Sequence, residues 1–369
     1  MRRGSELPLW ADLLLLPLVC LLVALGASAC VVALIGQSPL EVLLALLKGA
    51  FGSQRNLSYT LYYATTFIFT GLSVAVAHRA GLFNIGAEGQ AVLGGLGCGL
   101  LAMTFSNHWP AWVMLPMMLL FSAIWGAAWA AVPAYLQAYR GSHVVITTIM
   151  FNFIASALLV YVLVNFVRPP GSMAVESLPF APSAHLPNAH EALAWMGVAW
   201  PQSPLNLSFV LALVACLGVY VFLWQLRGGY RLRVVGSSPG AAQYAGINDR
   251  HQIMIAMGLS GALAGMVGMN EIAGVSGKLL LDYVNGAGFT GIAVALMGRN
   301  HPAGIVFSSL LFGALFQGGA EVAFDIPGFT RDMVVMLQGF MVLFSGAMTY
   351  AIAPALAWVL GKFGLLRHG

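Results

Sequence analysis

Residues 57–77, 109–139, 144–167 and 333–361 each run without a single charged side chain. A helix needs about 20 apolar residues to cross the hydrocarbon core of a bilayer, so each run is long enough to span. Further apolar runs at 13–35, 85–105, 205–226, 252–270, 283–298 and 303–320 bring the expected spans to about ten. Continuous runs of this kind exclude an outer-membrane barrel, whose strands leave short alternating segments. They also exclude a soluble enzyme, a disordered chain and a secreted disulfide scaffold. With 8% charged and 60% hydrophobic residues, the chain cannot clothe a water-facing surface, where about 25% charged is usual. The expected fold is all-α and polytopic, with membrane lipid as its surroundings. A net charge of only +4 implies no nucleic-acid partner.

Basic residues mark the cytoplasmic side of a membrane protein. A ten-span path starting inside places Arg2, Arg3, Arg79, Arg140, Arg227, Arg231, Arg233, Arg250, Arg299, Lys362 and Arg367 in the cytoplasm. It leaves Lys48, Arg55, Arg168, Lys278 and Arg331 outside, and this eleven-to-five split predicts that both termini are cytoplasmic. The start resembles a signal peptide, with Ala27-Ser28-Ala29 before Cys30, but its apolar run exceeds the 7–15 residues of such a segment. An uncleaved first span follows. The chain then reads as one transmembrane domain over 1–369: a first half at 1–167, an extracytoplasmic loop at 168–204, and a second half at 205–369 carrying a basic cytoplasmic loop at 227–250. Residues 39–56 read as an outer interfacial or re-entrant helix. Five spans per half set the halves in opposite senses, the geometry of inverted repeats, whose paired glycine-interrupted segments mark a central path.

Most motif matches lack their context. Gly277-Lys278 and Gly361-Lys362 have neither the leading glycine nor the following Ser/Thr of a P-loop. The GxGxxG at 286–291 has no acidic residue about 20 positions on, and the GxSxG at 236–240 lies in a short loop without a strand. No Cys/His cluster predicts a metal, and the four cysteines read as core thiols. The stretch 80–95, AGLFNIGAEGQAVLGG, is different. It sets Asn84, Glu88 and Gln90 in or beside an apolar span and interrupts that span with Gly81, Gly86 and Gly89. A carboxylate at membrane depth faces the protein interior or a cavity, and a broken helix at depth survives only where protein or water covers it. These residues are candidate path or gate elements, with a polar clamp between helices as the other reading. Asn152, mid-span, joins them, as does Asn285, because Asn285-Gly286-Ala287-Gly288 echoes Asn84-Ile85-Gly86-Ala87. Glu271 and Glu321 close spans and could serve an interface or the path. A run of glycines at 258, 261, 265 and 268 falls on one helical face and predicts close helix packing.

Four segments in order, 80–95, 145–155 (VITTIMFNFIA), 233–248 (RVVGSSPGAAQYAGIN) and 288–304 (GFTGIAVALMGRNHPAG), resemble the permeases of ABC importers. The nearest group is the nucleoside and simple-sugar permeases, within the wider family of ribose and branched-chain amino acid permeases. The resemblance implies broken helices near the midplane and a multi-pass location in a bacterial inner membrane. It implies no cofactor in this chain, ATP being used by a separate cytoplasmic ATPase. It further implies an extracytoplasmic binding protein and a second, paralogous permease subunit. The family's ATPase-contacting segment maps onto Pro239, Gly240, Ala241, Ala242, Tyr244, Gly246 and Ile247. An alternative within the family is a branched-chain amino acid or ribose permease. An ion-coupled carrier using Glu88 as a proton site is less well supported, and a membrane enzyme lacks the clustered His, Asp or Glu it would need.

Overall fold

A computed structural model describes residues 11, 15–34, 36–195, 197–325 and 331–362. Arg2, Arg3 and Arg367, which carry part of the expectation about the termini, lie outside the described residues. The described chain is helical: α1 (Leu16–Leu34), α2 (Pro39–Phe51), α3 (Gln54–Arg79), α4 (Ala87–Phe105), α5 (Ala111–Arg140), α6 (Val144–Val162), α7 (Ala189–Ala194), α8 (Ser208–Gln225), α9 (Arg227–Ser237), α10 (Pro239–Tyr244), α11 (Asp249–Gly265), α12 (Ala287–Met297), α13 (Pro302–Asp325) and α14 (Arg331–Lys362). A π-helical turn, Met269–Ser276, continues the line of α11.

Among the described residues six segments are long and apolar enough to cross a membrane: Gln54–Arg79, Ala111–Arg140, Val144–Val167, Ser208–Gln225, Asp249–Ser276 and Pro302–Phe324. The other four expected runs are helical in part or throughout. Run 85–105 gives the 19-residue α4, whose first turn carries Glu88 and Gln90. Run 283–298 is helical only over the 11 residues of α12. Runs 13–35 and 333–361 are helical over Leu16–Leu34 (α1) and Arg331–Lys362 (α14). The expected outer helix at 39–56 divides at Gly52, because Ser53 caps a new helix by accepting the Asn56 N–H at 3.1 Å.

Helix α3 is the axis of the bundle, buried on nearly every side from Ala64 to Ala77. Small residues let its neighbours close in. On α11, Gly261 and Gly265 meet the backbone of α5 at Gly126 and Ser122, and Ser122 Oγ donates to the Gly265 carbonyl. Gly268 meets Gly95 of α4. Three of the four glycines in the expected ladder therefore carry a helix crossing, while Gly258 faces open space. In lipid the hydrophobic effect no longer drives helices together, so such contacts rest on close packing and interhelical hydrogen bonds.

The two ends of the bundle differ. At one end the C-terminus of α3 abuts α9, with Gly81 against the Gly236 backbone, and Arg79 donates to the carbonyls of Arg299 and Asn300 just past α12. At the other end the C-terminus of α4 meets the long loop, where Ser183 Oγ donates to the Ser106 carbonyl and the Ala181 N–H to Ser106 Oγ. That loop also covers the chain after the π-turn, through Lys278–Glu176 at 2.8 Å and a reciprocal pairing of Ser177 with Leu279.

Candidate functional site

Between these ends two helices begin nose to nose. After α3 the chain turns back at Gly81 (φ +76°), runs non-helical over residues 82–85, and starts α4 at Ala87. Helix α12 starts at Ala287 and runs the opposite way, toward Arg79. The starts touch: a Cβ on Gly288 would overlap the Glu88 backbone. Glu88 lies in the first turn of α4, and its carboxylate accepts the Gly286 N–H at 2.9 Å and the Gly288 N–H at 2.7 Å, at the start of α12. The positive ends of two helix dipoles thus converge on one carboxylate, which satisfies N–H groups that α12 itself leaves open.

The backbone between α3 and α4 needs partners of its own at this depth. Asn84 supplies several. Its Oδ1 accepts the Gly86 N–H at 2.8 Å, and its Nδ2 donates to Gln90 Oε1 at 3.0 Å and to Ser260 Oγ at 2.8 Å. Ser260 passes the chain of bonds on to the Ser73 carbonyl. Asn152 of α6 bridges the break, donating to the Ile85 carbonyl and accepting the Gly89 N–H, each at 2.9 Å. Asn84, Gln90 and Asn152 are all buried. The five expected path residues therefore separate into two groups. Three fasten the broken segment, whereas Glu88 and Asn285 line a cavity of about 180 Å³ with Ser156 and Val160 of α6 and Asp282 and Tyr283.

Residues 277–286, which follow the π-turn, are non-helical, and 281–285 among them line that cavity. Asp282 (φ +57°), Asn285 (φ +47°) and Gly286 (φ +77°) hold left-handed conformations, and Asp282 and Asn285 are exposed. Expecting a span from residue 283 hid this: the apolar run is real, but positive φ at 285 and 286 delays the helix to Ala287. Asp282 is a cavity residue that the run pattern missed, because it sits just outside the apolar stretch at 283–298. Tyr283 turns inward and donates to the Val92 carbonyl.

Glu271 belongs to a separate buried cluster. Tyr62 donates to it at 2.5 Å and Thr66 at 2.6 Å, and the neighbouring Asn270 bonds Thr66 at 2.8 Å and Asn206 at 3.0 Å. This ties the π-turn to α3, which favours the interface role over a place in the path. Glu321 accepts from Gln317 on its own helix at 3.1 Å.

The basic loop at 227–250 is two helices, α9 and α10. Ser238 caps α10 by accepting the Ala241 N–H at 3.3 Å, Pro239 occupies its first turn, and Gly246 (φ +69°) ends the motif. Gly240, Ala241 and Gly246 are exposed, and Tyr244 is 98% exposed. Ala242 is fully buried against its own chain, so it does not offer a surface to a partner.

An all-helical chain whose broken helices leave polar, non-helical backbone between the two ends of the bundle is a multi-pass membrane transport protein in architecture. The family model for the branched-chain amino acid transport system permease component matches residues 56–346, and the chain belongs to that family. It is 33% identical to the guanosine ABC transporter permease protein NupP of Bacillus subtilis, over 95% of this chain and 96% of that one. It is 32% identical to a glucose ABC transporter permease protein of Haloferax volcanii, over 89% and 86% of the two chains. It is also 32% identical to each of two nucleoside ABC transporter permease proteins of Lactococcus lactis. NupB aligns over 86% of this chain and 85% of its own length, and NupC over 75% and 86%. The chain is thus a transport subunit rather than an enzyme.

Proposed function

We propose that this chain is the membrane-spanning permease of an ATP-driven importer that carries a nucleoside or a simple sugar into the cytoplasm. Relatives bearing guanosine, nucleoside and glucose in their names support the substrate class. The observation that carries the path is the exposure of Asp282 and Asn285 in the non-helical segment 277–286. Lipid-exposed irregular backbone does not occur within the hydrocarbon region, so Asp282 and Asn285 face water or protein there. A path between this subunit and a second, paralogous permease meets that need, and the match to both Lactococcus permeases supports a pair of different subunits.

The rest of the reading follows from this arrangement. Ten segments cross the membrane as two inverted five-helix halves, 1–167 and 205–369, with α4 and α12 as the equivalent broken helices near the midplane. Both termini are cytoplasmic, the membrane is the inner one, and the loop at 168–204 faces outward to receive a substrate-binding protein. Helix α10, within 227–250, seats in a separate ATPase subunit through Gly240, Ala241, Tyr244, Gly246 and Ile247, with Pro239 setting its start. ATP is consumed there, and this chain needs no cofactor. The binding protein supplies affinity, while closure of the ATPase pair tilts the bundle between discrete states.

Uptake into vesicles holding both permeases, the ATPase and the binding protein tests the proposal, with labelled guanosine, glucose and leucine as alternative cargoes. ATP-dependent uptake of the nucleoside or the sugar is expected. Uptake of leucine alone would move the assignment to amino acids.

A further inference from the structure

The end of the bundle near Arg79 carries a cluster that the transport path does not use. The Trp224 ring at the end of α8 lies 5.2 Å from the Arg79 guanidinium carbon and 6.0 Å from that of Arg233 on α9. The His301 ring lies 4.9 Å from Trp224, and Tyr220 stacks on Trp224 at 5.5 Å. Arg79 spends donors on the carbonyls that follow α12. Arg233 does not: its Nε is buried with no hydrogen-bond partner. Among the described residues neither arginine is recorded in an ion pair with a carboxylate.

His301 adds a donor. Its Nδ1 accepts the Ala303 N–H at 3.3 Å. Burial, then Arg79, hold the imidazole below its ordinary range, so near neutral pH the ring is uncharged with its proton on Nε2. The cluster is thus two guanidinium groups and a neutral donor around an indole, with no anion beside it among the described residues.

The same face of α8 supplies the second half of the site. Val214, Leu217 and Val221 are exposed, by 60%, 63% and 36%, at spacings that align them above Trp224. On α13, Phe307 is 57% exposed two turns from His301. An apolar stripe therefore runs down to an unneutralised cationic end, beside a Trp/Tyr pair of the kind that sits at headgroup level.

We propose that Arg233, His301 and Trp224 form a binding site for the phosphate of an anionic phospholipid, with its acyl chains along Val214, Leu217 and Val221. Basic pockets between helices on the cytoplasmic side recognise such headgroups. A bound lipid would neutralise the seam where α3, α8, α9 and α13 meet, directly behind the helix that leads into α10. The site depends on the fold and not on the cargo, so the transport assignment stands or falls separately.

The test uses the full chain in its assembled transporter, in nanodiscs of phosphatidylcholine with or without phosphatidylglycerol. Phosphatidylglycerol that survives a delipidating wash is counted by native mass spectrometry. Arg233→Gln is expected to lower retention roughly fivefold, the weight of one basic residue near an anionic headgroup. Arg233→Lys should retain most of the lipid, which separates lost charge from lost fold. Arg231→Gln, exposed on the same helix, should leave retention unchanged. Equal loss with Arg231→Gln would make this a general basic surface and overturn the proposal. So would unchanged retention in Arg233→Gln, displacement of the lipid by excess inorganic phosphate, or loss of the ATPase from Arg233→Gln with the lipid intact.

Discussion

Glu88 holds the midplane junction through two backbone N–H groups that belong to another helix. Hydrogen bonds to a charged group are worth about 1.5–3 kcal/mol each, and losing the acceptor leaves buried donors unmade. Glu88→Ala is therefore expected to cut ATP-dependent uptake by at least about tenfold, or ~1.4 kcal/mol, at normal membrane insertion. Glu88→Gln keeps one acceptor oxygen and should fall between the two. Wild-type uptake in both variants would remove Glu88 from the mechanism. At this scale the sequence was informative about residue types and less so about their tasks. The polar residues of 80–95 stood out because each is costly in an apolar run. Only coordinates divide them, because Asn84, Gln90 and Asn152 meet partners more than a helical turn away, and Asn152 meets its partners 63 and 67 positions away.

The helices themselves were legible where composition alone decides them. Helix α10 follows from Pro239 and Gly246, a local start and stop, and the structure adds Ser238 as its cap. Its facing does not follow, because burial of Ala242 depends on how the helix lies against the rest of the chain. A docking test therefore belongs at the exposed positions. Tyr244→Ala should lose the ATPase on co-purification, since a fully exposed tyrosine is the type of anchor that carries binding energy at interfaces. Retention of the ATPase and of stimulated hydrolysis would exclude α10 as the contact. The glycine ladder was read correctly as packing, but the neighbours were not identifiable from spacing. A Cβ on Gly265 would overlap the Ser122 carbonyl. Gly265→Leu is expected to cost about 1–3 kcal/mol or more by overpacking, seen as a lower thermal transition in detergent, whereas Gly258→Leu should leave the transition unchanged.

Across the whole molecule, hydropathy identified the class and charge bias suggested its orientation, since both are sums over many residues. Neither could show that α4 and α12 begin against each other, because that contact joins residues 200 positions apart. The short echo between 84–87 and 285–288 was the only trace of it in the sequence. The central claim is that this junction and the segment 277–286 line the path. The direct measurement is labelling of a single cysteine at Asn285→Cys by a membrane-impermeant thiol reagent, with the native cysteines replaced and the transporter assembled. The lipid-facing control is Val214→Cys. Labelling at 285 should be fast, should change when an ATP analogue closes the ATPase, and should exceed that at 214 in every state. Labelling at 285 as slow as at 214, in both nucleotide conditions, would contradict the account.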